Sequence, residues 1–159
     1  MPRKTTKSLQ RRVAPDRKYE STLVQRLINK SMLDGKKLLA ERQVYDAMEI
    51  AAKKLKSDNP LEVFEKAMKN VYPQMEVKSR RVGGTNYQIP FPVSGQRQLH
   101  LAFMWFVQAA RSRKGMPYSQ RLAGEIMDAY NQTGTAFKKK EDTHRMAEAN
   151  RAFAHFART

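Results

Sequence analysis

The chain has 159 residues, the size of one domain with a single modest core, and its 31 Lys and Arg against 15 Asp and Glu leave a net charge of +16 and a pI near 10.3. It contains no cysteine, which excludes disulfides, zinc–thiolate sites and thiol chemistry, and no apolar run approaches the roughly 18 to 20 residues that a membrane-spanning helix needs. A compact body that repels itself this strongly is normally neutralised by a polyanion, so nucleic acid is the leading class of partner, with no membrane involved.

Over residues 1–18 the cations Arg3, Lys4, Lys7, Arg11, Arg12, Arg17 and Lys18 meet a single acid, Asp16, and the sizeable apolar residues besides Met1 are Leu9 and Val13. Such a segment buries too little surface to order itself and reads as a flexible basic arm. It has neither the apolar core of a secretory signal nor the amphipathic pattern of a transit peptide. Residues 19–159 read as one helical domain. Leu23, Leu27, Ile28 and Met32 recur at helical spacing, and Asp34-Gly35 ends that helix before Lys36-Lys37 open the next. The second helix runs to about Lys56 on Leu39, Tyr45, Met48, Ala52 and Leu55. In SDNPLEVFEKAMKNVY, Asn59 is placed to cap a third helix, Pro60 suits its first position, and Glu62 follows three residues after the cap. Leu61, Phe64, Met68 and Val71 form its apolar face.

The stretch PQMEVKSRRVGGTNYQIPFPV, Pro73 to Val93, breaks this pattern. Glu76–Val82 and Thr85–Ile89 alternate like strands, Gly83-Gly84 supplies the positive φ angles of a tight turn, and Pro73, Pro90 and Pro92 confine the strand ends. A two-stranded hairpin at about residues 74–93 therefore projects between the third and fourth helices. Alone it would be marginal in water, so it leans on the helices or on a partner. Lys78, Arg80, Arg81 and Tyr87 make that partner anionic and offer it a stacking surface.

GQRQLHLAFMWFVQAARSRKG then gives a fourth helix, apolar on nearly every side at Leu99, Leu101, Phe103, Met104, Trp105, Phe106 and Val107, as expected of a helix central to a bundle. Gly115 and Pro117 end it. Leu122, Ile126, Met127 and Tyr130 mark a fifth helix, and Gly134 separates a sixth whose apolar face includes Met146, Ala149, Phe153 and Phe156. The expected fold is mainly α: a single-domain bundle of about six helices with a protruding two-stranded β-hairpin and a basic N-terminal arm. The Met and aromatic stripes are accounted for by the core and call for no cofactor.

Positive charge collects where the backbone turns or ends: in the arm, at Lys36-Lys37, at Lys78 with Arg80-Arg81, at Arg111, Arg113 and Lys114, and at Lys138-Lys139-Lys140 with Arg145 and Arg151. Gathered on one face, these groups would form a long phosphate-binding surface whose affinity falls steeply with salt. An aromatic ring among arginines on a projecting ribbon suits irregular RNA, and nothing resembles a zinc finger or a zipper. A DNA-binding architectural protein is the alternative within the binding class, and an RNA-modifying enzyme the alternative outside it. For catalysis, His100, His144 and His155 lack metal-ligand spacing, and Gly83-Gly84 belongs to no phosphate-cradling motif. Glu141, Asp142 and His144 share one helical turn, which reads as a solvated helix face rather than an acid–base site. No catalytic or metal-binding residue is expected.

KKKEDTHRMAEANRAFAHF, Lys138 to Phe156, closely resembles the C-terminal signature of the bacterial small-subunit ribosomal protein seven family. DGKKLLAE at Asp34–Glu41, NPLEVFEKAMKNVYP at Asn59–Pro73, VKSRRVGGTNYQIP at Val77–Pro90 and RLAGEIMDAYNQTG are similar to the same family in the same order, from about residue 15 onward. The resemblance implies a cytoplasmic structural constituent of the small ribosomal subunit that binds the 3′ major domain of 16S-type rRNA and nucleates assembly of the head. It also implies a ribbon and C-terminal helix beside exit-site tRNA and mRNA, with small-subunit protein eleven as a neighbour of the ribbon. Carried onto this sequence, Arg3, Lys4, Lys7, Arg11, Arg12, Lys36, Lys37, Lys78, Arg97, Arg111, Arg113, Lys114, Lys138, Lys139 and Lys140 would hold rRNA. Arg80, Arg81, Val82, Gly83, Gly84, Thr85, Asn86 and Tyr87 would form the exit-site element, with Arg145, Asn150 and Arg151 close to it.

Overall fold

The computed structural model describes residues 13–157: six α-helices, a two-stranded antiparallel sheet between the third and fourth, and a closing 3-10 helix. Arg3, Lys4, Lys7, Arg11 and Arg12 lie outside the described residues. Helix α1 (Thr22–Ser31) and helix α3 (Pro60–Val71) each bury one apolar stripe, Val24, Leu27 and Ile28 on the first and Val63, Phe64, Ala67, Met68 and Val71 on the second. The start of α3 is as its sequence requires. Asn59 Oδ1 accepts the Leu61 N–H at 3.1 Å, Pro60 occupies the first turn, and Glu62 takes the Asn59 amide at 3.0 Å.

Helix α2 (Lys37–Leu55) packs on α1 and α3, and helix α4 (Gly95–Ser112) buries eight residues, among them Phe103, Trp105 and Phe106. Helix α5 (Tyr118–Tyr130) is the shared neighbour, lying against α2, α3, α4 and helix α6 (Gly134–Ala149). Ala123 and Ala129 are buried beside Leu122 and Ile126, and such small side chains let several helices approach α5 closely. Hydropathy patterning, which weights bulk, pointed instead to α4.

Strand β1 (Met75–Val82) pairs with strand β2 (Thr85–Pro92) from Met75↔Pro92 to Val82↔Thr85. Gly83 and Gly84 take φ of 57° and 91°, the left-handed pair a two-residue turn demands. Both strands are longer than the alternation suggested, because Pro90 and Pro92 fit inside β2. Counting outward from the turn-flanking pair, both prolines occupy non-hydrogen-bonded positions, so their missing N–H groups fall on the outer edge. Glu76, Ile89 and Pro90 are buried at the ribbon's root, while most of its tip is exposed.

Three expectations are corrected. The sixth helix stops at Ala149, so Phe153 and Phe156 do not extend its face, and Met146 is 51% exposed. Asn150 closes α6 by donating its backbone N–H and its amide to the Met146 carbonyl, and the chain goes on as a 3-10 helix, Arg151–Ala157, turned onto the ribbon. Leu39, expected on the inner face of α2, is 54% exposed. Finally, the last part of the expected arm is described and fastened. Asp16 is 3% exposed and accepts the backbone N–H groups of Lys18, Tyr19 and Ser21 and the Tyr45 hydroxyl, all within 3.1 Å, while Lys18 pairs with Glu49 on α2.

Burial works to raise the Asp16 pKa, but the donors from Tyr19, Ser21, Tyr45 and Lys18 outweigh it and hold the carboxyl below its ordinary value. Glu76 behaves alike, burial being outweighed by Lys78 and Arg97. A depressed folded-state value contributes stability that is present above the unfolded carboxylate range, near about pH 4, and is lost as pH falls through the folded value. Urea midpoints measured from pH 6 to pH 3 are therefore expected to fall, and the Asp16→Asn chain to show a lower plateau with a shallower acid limb. An acid limb unchanged by that substitution would rule Asp16 out as its source.

Candidate nucleic-acid interface

The expected cations fall into a ribbon group, a loop group and a pair on α6. Arg97 on α4 stands at the ribbon end and Arg111 at the loop end, separated by roughly 21 Å of helix at about 1.5 Å per residue. Because α4 is buried along much of its length, that interval is rigid.

At the ribbon end Glu76 is the organiser. Its buried carboxylate accepts Lys78 Nζ at 2.8 Å and Arg97 Nε at 3.0 Å, with the two cations still about half exposed. Farther out, the two faces of β1 differ. Arg80 Nη1 donates to the Phe156 carbonyl at 3.2 Å, and the Tyr87 ring lies 5.2 Å from Phe153 and 5.3 Å from Phe156. Tyr87, expected as an open stacking surface, is half-buried against the 3-10 helix. Arg81, paired across the ribbon with Asn86 on the other face, is exposed, as are Gly83, Gly84, Thr85 and Asn86, with Val82 half-buried. Arg145 pairs with Asp142, Arg151 with Glu148 at 3.3 Å, and Asn150 serves as the α6 cap.

At the loop end Lys36 lies 4.0 Å from Asp34, and Lys37 and Lys114 are exposed. Arg111 Nη2 reaches the Ser31 carbonyl at 3.4 Å, and Tyr118 donates its hydroxyl to Ser31 Oγ at 2.9 Å. Arg113 does not join this group. Its guanidinium pairs with the fully buried Glu125 at 2.6 Å and with Asp128, so it neutralises carboxylates inside the fold. Arg113, expected to hold rRNA, is thus engaged by two carboxylates of the fold.

On α6, Lys138 and Lys139 are exposed, whereas Lys140 turns inward. Its Nζ donates to the Asn70 carbonyl at 2.7 Å and sits over the Phe137 ring, and burial pushes its pKa down. His144 Nε2 accepts the Gln74 N–H at 2.9 Å, pinning α6 to the ribbon root, and burial together with the Lys140 charge lowers its pKa. The imidazole is thus a neutral acceptor in a structural contact. Sequence reasoning missed Glu76, although it is the one acid between Glu65 and Glu125. A lone carboxylate in so basic a stretch is a signal that it organises its neighbours.

Residues 2–151 match the family model described as Ribosomal protein S7p/S5e. This chain belongs to the S7p/S5e family of ribosomal proteins. It is 59% identical to the small ribosomal subunit protein uS7 of Dictyoglomus turgidum over 146 residues, covering 92% of this chain and 93% of that protein. The uS7 of Thermotoga maritima is 56% identical over 146 residues, 92% and 94% of the two chains, and that of Chloroflexus aurantiacus 52% over 159 residues, 99% of each. The S7p/S5e proteins are structural, not enzymes, so the RNA-modifying alternative is set aside. The S7p/S5e match takes in the ribbon, both ends of α4 and all of α6, and stops at the first residue of the 3-10 helix. None of the described helices is long and apolar enough to cross a membrane.

Proposed function

We propose that this S7p/S5e chain is a structural protein of the small ribosomal subunit that binds the 3′ major domain of its rRNA, nucleates assembly of the head and holds its ribbon beside exit-site tRNA and mRNA. Small-subunit protein eleven is the expected neighbour of the ribbon. The observation that carries this reading is the placing of charge: on a chain of +16, exposed cations stand at both ends of one buried helix and on a ribbon rooted by Glu76. Cations at fixed positions neutralise phosphates and release counterions. RNA helices gripped at two separated points lose their freedom to move relative to one another, which makes later assembly steps possible. The cations of the N-terminal arm add further phosphate contacts. No bond is made or broken.

Binding of the purified chain to a 3′-major-domain transcript, measured at two salt concentrations against an unrelated structured RNA and duplex DNA, tests the reading. The cognate transcript is expected to be retained at the higher salt while both competitors are lost. Equal affinities that collapse together would sink the ribosomal RNA assignment. Deleting Val82–Asn86 is expected to leave transcript binding nearly unchanged and to raise reading-frame errors in reconstituted subunits. Loss of transcript binding would instead place the ribbon tip in the primary rRNA site.

A further inference from the structure

Among the described residues five large hydrophobic side chains are exposed, and three of them fall in one short stretch: Leu33 at 61%, Leu38 at 75% and Leu39 at 54%. In a chain of mean hydropathy −0.74, such clustering calls for an explanation. Leu33 and Leu39 line a groove of about 530 Å³, between the α1–α2 connection and the start of α5, together with Lys36, Arg111, Tyr118 and Arg121. That volume lies within the range of about 300–1,000 Å³ usual for small-ligand pockets, enough for one nucleotide.

The wall of the groove is prepared. Arg121 Nη1 donates to the carbonyls of Arg113 at 2.8 Å and Arg111 at 3.4 Å, its guanidinium carbon stands 5.8 Å from the Tyr118 ring centre, and its Nε is buried without a hydrogen-bond partner. The planar fork is therefore held in place before any ligand arrives. The groove's charge is three cations, Lys36, Arg111 and Arg121, against Asp34 alone. An apolar protein segment would match the leucines and leave those cations without counterions. A base-paired stretch would match the cations and leave the leucines in water. An unpaired nucleotide satisfies both.

Resting on the RNA-binding reading above, we infer that this groove takes a single unpaired nucleotide of the bound RNA, its base against Leu33 and Leu39 and its phosphate toward Arg111 and Lys36. The site reads an extruded base, where the other cations meet only backbone.

The test compares two variants of the full chain on the 3′-major-domain transcript. Leu33→Ala with Leu39→Ala removes exposed apolar surface and no charge, so its melting curve is expected to match the unaltered chain's. Its affinity is expected to fall about tenfold with an unchanged salt slope. Base-directed chemical probing is expected to show one unpaired nucleotide protected by the unaltered chain and not by this variant. Lys36→Gln with Arg111→Gln is expected to flatten the slope by about one to two instead. If the leucine variant binds as the unaltered chain does while the charge variant still flattens the slope, the groove takes no base and the RNA reading survives. A weakening spread over many nucleotides, with none singled out, also overturns the inference. If the unaltered chain shows no preference for the transcript over duplex DNA, the underlying reading fails instead.

Discussion

Arg113→Ala is expected to lower the melting temperature by about 10 °C, corresponding to about 3 kcal/mol for a domain of this size. Glu125 has no solvent exposure and lies on α5, the helix that touches four others, so its charge cannot be rehydrated without parting the bundle. Arg113 supplies the opposite charge, with Nε donating to Glu125 Oε1 at 2.7 Å. Removing one partner of a buried pair leaves the other desolvated and uncompensated, which costs about 3–5 kcal/mol. The lower figure applies because the Arg113 side chain keeps 30% exposure. Glu125→Gln is expected to cost less, since Arg113 retains Asp128 and its contact with water. Gly124→Ala should act in the same direction as Arg113→Ala, since its new methyl carbon would lie 2.7 Å from Arg113 Nη1 and push the fork off Glu125. Thermal and urea unfolding of the three variants check the order. An Arg113→Ala chain as stable as the original would mean that the helices relax to admit water to Glu125.

Replacing Lys37, Lys114, Lys138 and Lys139 together by Gln is expected to weaken transcript binding by two to three orders of magnitude near 0.15 M salt, and to flatten the log–log salt slope by about three. These four are chosen because each is exposed and none is tied to a carboxylate, unlike Lys78, Arg97, Arg113, Arg145 and Arg151. Surface changes of this kind leave stability within about 0.5 kcal/mol, so the melting curve serves as the control. A slope unmoved by all four substitutions would remove them from the RNA contact.

Features governed by near neighbours in sequence were legible before the structure. The α3 start rests on Asn59, Pro60 and Glu62, and the ribbon turn on Gly83-Gly84, each a matter of a few adjacent residues. The family resemblance, carried by motifs such as VKSRRVGGTNYQIP, likewise agrees with the S7p/S5e match. What escaped is set by contacts between distant positions. Arg113 looks like one more surface cation until α5 folds back and brings Glu125 beneath it. Tyr87 looks like an open ring until Phe153 and Phe156 return to cover it. Leu39 obeys helical periodicity, yet the first turn of α2 leaves it uncovered. Pro90 and Pro92 look like strand ends in sequence because their effect depends on which edge faces a partner, and only the register decides that.

Helix α4 gives the interface a property that no single cation has. On the function proposed above, its two ends act as the two heads of a bivalent ligand joined by a spacer that neither stretches nor bends. Once RNA has engaged one end, the other meets it at a high effective concentration, provided that the phosphates lie at the matching interval. An RNA fold with the wrong interval engages one head and is held only as a weak monovalent ligand. Discrimination between correctly and incorrectly folded RNA then arises as avidity, from distance, in addition to the base read in the groove at the loop end.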